Sequence, residues 1–192
     1  MTDLSIPPLF LADNLALDFI NTEYGVGDQR QDALTSGHCV EHWLAQAGVL
    51  PEPSSHPLPE GLLPDALALR NCSRAVVMAA MQGVEADVAV VNQVLEAGRP
   101  VSTLVWEATA KAFRISAQSS GNSSASLLWP VAEALVNLVT SDTFAFVRQC
   151  EAQDCILLFH DVSKSHRRRW CSMATCGNRK KVAAFRARKK PE

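Results

Sequence analysis

At 192 residues the chain holds one large domain or two small ones, which excludes a large multidomain enzyme. Its 47% hydrophobic and 20% charged residues are the composition of a chain that buries a core, so a disordered or fibrous protein is excluded too. The formal charge of −2 conceals a division: 7 Lys and Arg stand against 19 Asp and Glu up to Asp161, and 11 against a single Glu beyond it, so an acidic body carries a basic segment suited to a polyanion.

The start of the chain, Met1-Thr-Asp-Leu-Ser-Ile-Pro-Pro, has neither a basic stretch nor a small-residue cleavage site, and no apolar run approaches the ~18 residues of a membrane span. A cytoplasmic protein without a membrane partner is expected. In that reducing compartment the six cysteines read as thiols or metal ligands.

Residues 10–24 are apolar with Asp and Asn interruptions, a pattern that fits a short strand or a helical turn equally well. From Asp32 to Val49, Leu34, Val40, Trp43, Leu44 and Ala47 recur at helical spacing and Gly48 closes the helix. Five prolines within 51–64 predict a surface loop. Residues 65–82 and 85–97 predict two helices, or one broken at Gly83, ended by Gly98 and Pro100. Residues 102–107 and 112–117 predict a hairpin, 118–124 a polar loop, and Leu127–Val139 a further helix. The expected fold is α+β and mostly helical: a helical N-terminal domain with a small hairpin over 1–142, and a small cysteine-rich domain ending in a basic helix over 143–192.

Four cysteines define that second unit. Cys150-x4-Cys155 and Cys171-x4-Cys176, fifteen residues apart, are two pairs of equal spacing, the arrangement by which two turns supply four thiolates to one tetrahedral ion. Zinc is the natural occupant, with an iron–sulfur centre far behind. Four thiolates close the coordination shell, so the ion is structural, contributing on the order of 10–16 kcal/mol of apparent binding free energy. Cys39 and Cys72, isolated in apolar helices, read as ordinary buried cysteines.

Between the pairs lie an apolar run, 156–161, that predicts a strand, and the basic run Arg167-Arg168-Arg169-Trp170. After Cys176, Gly177 suits a left-handed turn, Asn178 suits a helix cap, and Val182 with Phe185 could dock the helix on the zinc core. Arg167, Arg168, Arg169, Lys180, Lys181, Arg186 and Arg188 are the candidate phosphate contacts, while Asn178 and Arg179 would support the knuckle or read base edges. Trp170 reads as packing on the knuckle, or else as stacking on a base, and Trp106 and Trp129 as core or domain-interface residues.

Cys150, Cys155, Phe159-His-Asp161, Arg168-Arg169-Trp170-Cys171-Ser-Met173 and above all Cys176-Gly177-Asn178-Arg179 resemble the CGNR zinc-finger family across 145–190. Leu15-Ala-Leu-Asp-Phe-Ile-Asn-Thr22 and Trp43-Leu44 followed by Gly48-Val-Leu50 are similar to that family's usual N-terminal partner, an ABATE-type stress-induced transcription regulator domain. The resemblance implies four cysteine ligands to one zinc and a role in bacterial transcription. The body is expected to sense a small-molecule effector or to form a homodimer. DNA is the expected partner. The competing class is a zinc-stabilised protein-interaction or RNA-binding module, including one whose basic end meets the acidic body of its own chain.

Other patterns carry less. His38-Cys-Val-Glu41-His42 spells the H-x-x-E-H of inverted zinc peptidases, but such a site needs a third ligand elsewhere, so a solvated helix face is expected. Asp13, Asp18 and Glu23, near Asn14 and Asn21, read as structural carboxylates that bond turns and backbone, with a small-molecule site between the N-terminal elements as the alternative. No phosphate-cradling glycine loop or nucleophile elbow is present, and no enzyme is expected.

Overall fold

The computed structural model describes residues 8–25, 29–50, 57–118 and 122–182. In chain order these form α1 (Leu15–Ile20), β1 (Glu23–Tyr24), β2 (Gln31–Asp32), α2 (Gly37–Gln46), α3 (Leu62–Gln82), α4 (Ala89–Ala97), β3 (Val101–Glu107), β4 (Ala112–Gln118) and α5 (Ser124–Val139). A 3₁₀ turn, Asp142–Phe146, leads into β5 (Val147–Gln149) and β6 (Leu158–His160), and a wide turn, Met173–Gly177, runs into a short helix over 178–182. The strands make three antiparallel pairs, β1 with β2, β3 with β4 and β5 with β6. The mostly helical α+β architecture expected from the sequence is what is found, and no helix among the described residues is long and apolar enough to cross a membrane.

At the centre lies α1. Ala16, Leu17, Asp18, Phe19 and Ile20 are all buried, and a helix apolar on every side has no solvent face to betray its period. That is why the sequence left strand and helical turn open here. Asn14 caps it, accepting from the amides of Ala16 and Leu17. Around it pack α3, whose Leu62, Ala66, Leu69 and Val77 recur at helical spacing, and α5, which presents Leu128, Val131, Leu135 and Leu138. Trp43 of α2 closes the near side, its ring centroid 5.2 Å from Phe19 and 5.6 Å from Phe10.

The helices end as their residues dictate. Gly48 and Gly83 take positive φ after α2 and α3. Gly98 serves differently: a Cβ there would lie 2.2 Å from the Ala125 carbonyl, so α4 and α5 approach through the missing side chain. The helix expected from 127 begins earlier, at Ser124, because Ser123 caps it by accepting from the Ser126 amide. The helix expected from 85 begins only at Ala89. Cys39 and Cys72 are half-buried rather than buried. The larger departure is Trp106, which is not a core residue: it is 56% exposed on the hairpin.

The cysteine-rich end is not a separate bead. Asn21, at the end of α1, clamps the Leu158 peptide of β6 from both sides: its Nδ2 donates to the Leu158 carbonyl at 2.7 Å and its Oδ1 accepts from the Leu158 amide at 3.0 Å. The His160 amide donates to the Ala12 carbonyl at 2.8 Å. Arg74 of α3 donates to the carbonyls of Ile156 and Ile20 at 3.0 and 2.9 Å. Leu158 and Phe159 thereby join one continuous core with α1.

Asp18 is the buried charge of this junction. Its Oδ1 accepts from the amides of Leu11 and Ala12 at 2.8 and 2.9 Å. Burial raises its pKa to about 6, against the lowering effect of those two amides.

Two outcomes follow. Asn21→Ala leaves both polar groups of the buried Leu158 peptide without partners and should lower stability by about 2–4 kcal/mol in denaturant titration. For Asp18, the folded pKa lies above the unfolded one, so its contribution is fully present below pH ~4 and is lost as pH rises through ~6. Asp18→Asn keeps an acceptor for both amides without a buried charge. It should therefore gain on the order of 1–3 kcal/mol over the parent at pH 7.5, the gain vanishing near pH 4 in parallel melts.

Candidate metal centre and basic surface

Two turns converge at the end of the β5–β6 hairpin. The first, Cys150 to Cys155, closes through the Cys155 amide donating to the Ala152 carbonyl, with Asp154 at φ 61° in the left-handed position. The second runs from Cys171 to Cys176 and is capped by Ser172, whose Oγ accepts from the Ala174 amide. The Glu151 amide donates to the Arg169 carbonyl and ties the turns together.

All four Sγ atoms are within 4.8 Å of one another and all four residues are buried. Cys155 to Cys171, Cys176 to Cys155 and Cys171 to Cys176 are 4.0, 3.8 and 3.6 Å. A thiolate tetrahedron with Zn–S bonds of about 2.3 Å has edges of about 3.8 Å, so the donor set fits one zinc ion with no open position. The Cys171 amide donates to Cys150 Sγ at 3.3 Å and Arg179 Nη2 to Cys176 Sγ at 3.5 Å, both favouring thiolate. Hydrogen bonding with Cys171 lowers the Cys155 pKa to about 5, while that same bond and burial push Cys171 up and burial pushes Cys176 up to about 11. Four thiolates this close repel one another, and a divalent cation at the centre is what lets them coexist.

Gly177 corrects the sequence reading, because it does not take positive φ. Its hydrogen matters instead: a Cβ would lie 2.8 Å from Met173 Sδ and 3.3 Å from Trp170 Cδ1. Asn178 likewise is not the helix cap. It already has helical angles, and its Nδ2 donates to the Ala174 carbonyl at 3.3 Å. Val182 is 48% exposed and does not dock on the metal core. Phe185, Arg186 and Arg188 lie outside the described residues.

The three consecutive arginines have three different environments. Arg168 is committed to the scaffold: it donates to Asp13 at 2.7 Å, to the carbonyls of Leu11 and Cys171 at 2.6 Å and to that of Trp170 at 3.0 Å, and stacks over Phe159 at 4.3 Å. Arg169 pairs with Glu151 at 2.6 Å and lies 5.0 Å above the Trp170 ring. Arg167 is exposed and has no ion-pair partner among the described residues. Lys180 and Lys181 are exposed in the same way, as is Lys164. Arg167, Arg169, Ser163 and Met173 line an open groove of about 680 Å³ together with Phe10 and Asp13.

The loop that carries Arg167 hangs on Asp161. Its carboxylate accepts from Ser163 Oγ at 2.6 Å, the Ser163 amide at 3.1 Å and the Arg168 amide at 2.8 Å. Burial works against its charge, yet these bonds hold the carboxyl below the usual range. The His166 ring stacks on Phe146 at 3.7 Å and closes the loop from the other side. Sequence reasoning missed Asp161 and Arg74 as organisers; the Asp-x-Ser spacing was the available signal for the first, and nothing local marked the second.

The other candidate cluster dissolves. His38 is exposed and 3.8 Å from Glu41, while His42 meets Gln46 at 3.1 Å, as on a solvated helix face. Among the described residues, the group of three or more side chains placed to hold a metal is the cysteine set.

Because the metal turns share a core with α1, removing the ion should be felt throughout. Chelation, or Cys171→Ser, is expected to lower one cooperative thermal transition that includes the helical signal at 222 nm, and metal analysis should fall from one zinc per chain toward none. A separate finger transition with the helical melt unchanged would contradict the shared core.

Residues 147–189 match the CGNR zinc finger, and residues 13–142 match the family described as ABATE, putative stress-induced transcription regulator. No curated protein matches the sequence. The longer match spans more than half of the chain, and the cysteine geometry supplies what the shorter one requires. The chain belongs to the ABATE family of putative stress-induced transcription regulators and carries a C-terminal CGNR zinc finger with a site for one structural zinc ion.

Proposed function

We propose that this protein is a cytoplasmic DNA-binding transcriptional regulator without catalytic activity. In this reading residues 1–142 receive a small-molecule signal and residues 143–192 contact the duplex. The observation that carries it is the set of exposed cations around the metal turns, Lys164, Arg167, Lys180 and Lys181, which have no ion-pair partner among the described residues. Cations held on a rigid, metal-anchored turn without internal counterions neutralise phosphates and release their condensed ions.

The roles divide by environment. Arg167, Lys180 and Lys181 contact phosphate, joined by Arg186 and Arg188 further along the chain. Asn178 and Arg179, next to the last ligand, stand where a base edge or a phosphate would meet the turn. Arg168 keeps the loop in place, and Arg169 positions Trp170 through its pair with Glu151.

Selection from a random pool of duplex DNA by the zinc-loaded protein, followed by sequencing, tests the proposal. An enriched motif is expected. The triple variant Arg167→Ala, Lys180→Ala, Lys181→Ala should flatten the slope of log K against log salt by about 3 at unchanged zinc content. Binding without enrichment reduces the function to polyanion contact, and no binding to DNA turns the assignment toward a protein or RNA partner.

A further inference from the structure

The β3–β4 hairpin has a bare apolar face. Directly opposed residues share a face, so the pairs Leu104–Ile115 and Trp106–Phe113 stand together on one side. On the other side lie Thr103 opposite Ser116 and Val105 opposite Arg114, with Arg114 paired to Glu107. Leu104, Trp106, Phe113 and Ile115 are 69%, 56%, 66% and 76% exposed. Trp106 and Phe113 already meet edge to face at 5.1 Å. The hairpin's substantial packing is strand on strand, with no helix laid over either face among the described residues.

A two-stranded hairpin alone is marginal in water and needs a third layer. Here two seven-residue strands pair in full register around four large apolar side chains. We propose that a second copy of this chain supplies that layer, the two hairpins packing apolar face to apolar face about a two-fold axis.

Two observations select the second copy. The face contains no charged residue among the four, so it offers nothing to a polyanion or to a charged protein surface, and an uncharged face rich in large side chains is complementary to itself. The area also suffices. Four such side chains at these exposures leave on the order of 500 Å² in one patch, at the upper end for a monomer surface. A symmetric pair that covers both patches fully removes about 1,000 Å², which reaches the ~1,000 Å² that a specific interface needs.

The proposal does not depend on DNA binding and is tested without DNA. The zinc-loaded full chain, examined by sedimentation from ~1 to 100 µM, should weigh twice its 20.8 kDa at the upper end. Ile115→Lys and Leu104→Lys, each placing two like charges across the axis, should raise the dimer dissociation constant at least ~100-fold. Thr103→Lys, on the opposite face, should change it less than ~3-fold. Amide exchange over 101–118 should slow as the parent chain is concentrated, a readout that needs no variant. A monomeric parent at 100 µM, concentration-independent exchange in the hairpin, or a dimer that survives both lysine variants would each overturn the proposal.

Discussion

The strand that lies between the metal turns is held to the body at both polar groups of one peptide by a single side-chain amide. Asn21 treats the Leu158 peptide as a strand would, giving one donor and taking another, across 137 residues of chain. A buried peptide cannot be left unpaired, so once α1 is buried with Asn21 at its end, β6 has its partner and Phe159 its place in the core. The β5–β6 hairpin, and with it the two cysteine turns, is then oriented by the body. The ion ties turn to turn, whereas the amide, together with Arg74, Arg168 and the His160–Ala12 bond, ties the metal unit to the rest.

The same junction explains the unequal fates of neighbouring cations. Arg168 lies between the Phe159 ring and the carbonyls of Leu11, Trp170 and Cys171, where a planar five-donor group satisfies several acceptors at once. Arg167 on one side and Arg169 on the other are displaced toward solvent, the latter onto Glu151. Of the two opposed charge blocks, only Arg168 with Asp13 and Arg169 with Glu151 meet as ion pairs among the described residues. Among the described residues, Lys164, Arg167, Lys180 and Lys181 form no ion pair with the acidic body.

Spacing made some of this legible. Two equal cysteine pairs announce a tetrahedral site without any knowledge of the fold, the helical spacing of Val40, Trp43, Leu44 and Ala47 announces α2, and a run rich in Ala, Leu, Val and Met ending at Gly83 announces α3. Burial on all sides erased the period of α1, so its class could not be read, and Asn21 looked like any polar residue in an apolar run. Gly177 was legible as a required glycine but not for its reason, since a close approach to Met173 and Trp170 leaves no trace in local sequence. Trp106 misled because an aromatic strand residue is ordinarily covered, and a chain read alone does not say by what. Long-range partners such as Arg74 with the Ile156 carbonyl have no local signal at all.

The shared core also governs how this architecture can be taken apart. A cut within the 3₁₀ turn at Asp142–Phe146 would look natural along the chain, yet it would strip β6 from α1 and bare Leu158 and Phe159 on one fragment and the flank of α1 on the other. Each piece would carry a sticky wound where the intact chain has none. Grafting the metal turns onto a foreign scaffold would meet the same obstacle, since the graft must bring a helix ending in asparagine to hold the transplanted strand. The cysteine turns and the first helix therefore fold as a pair, and a recombinant that separates them would lose its fold before any question of activity arises.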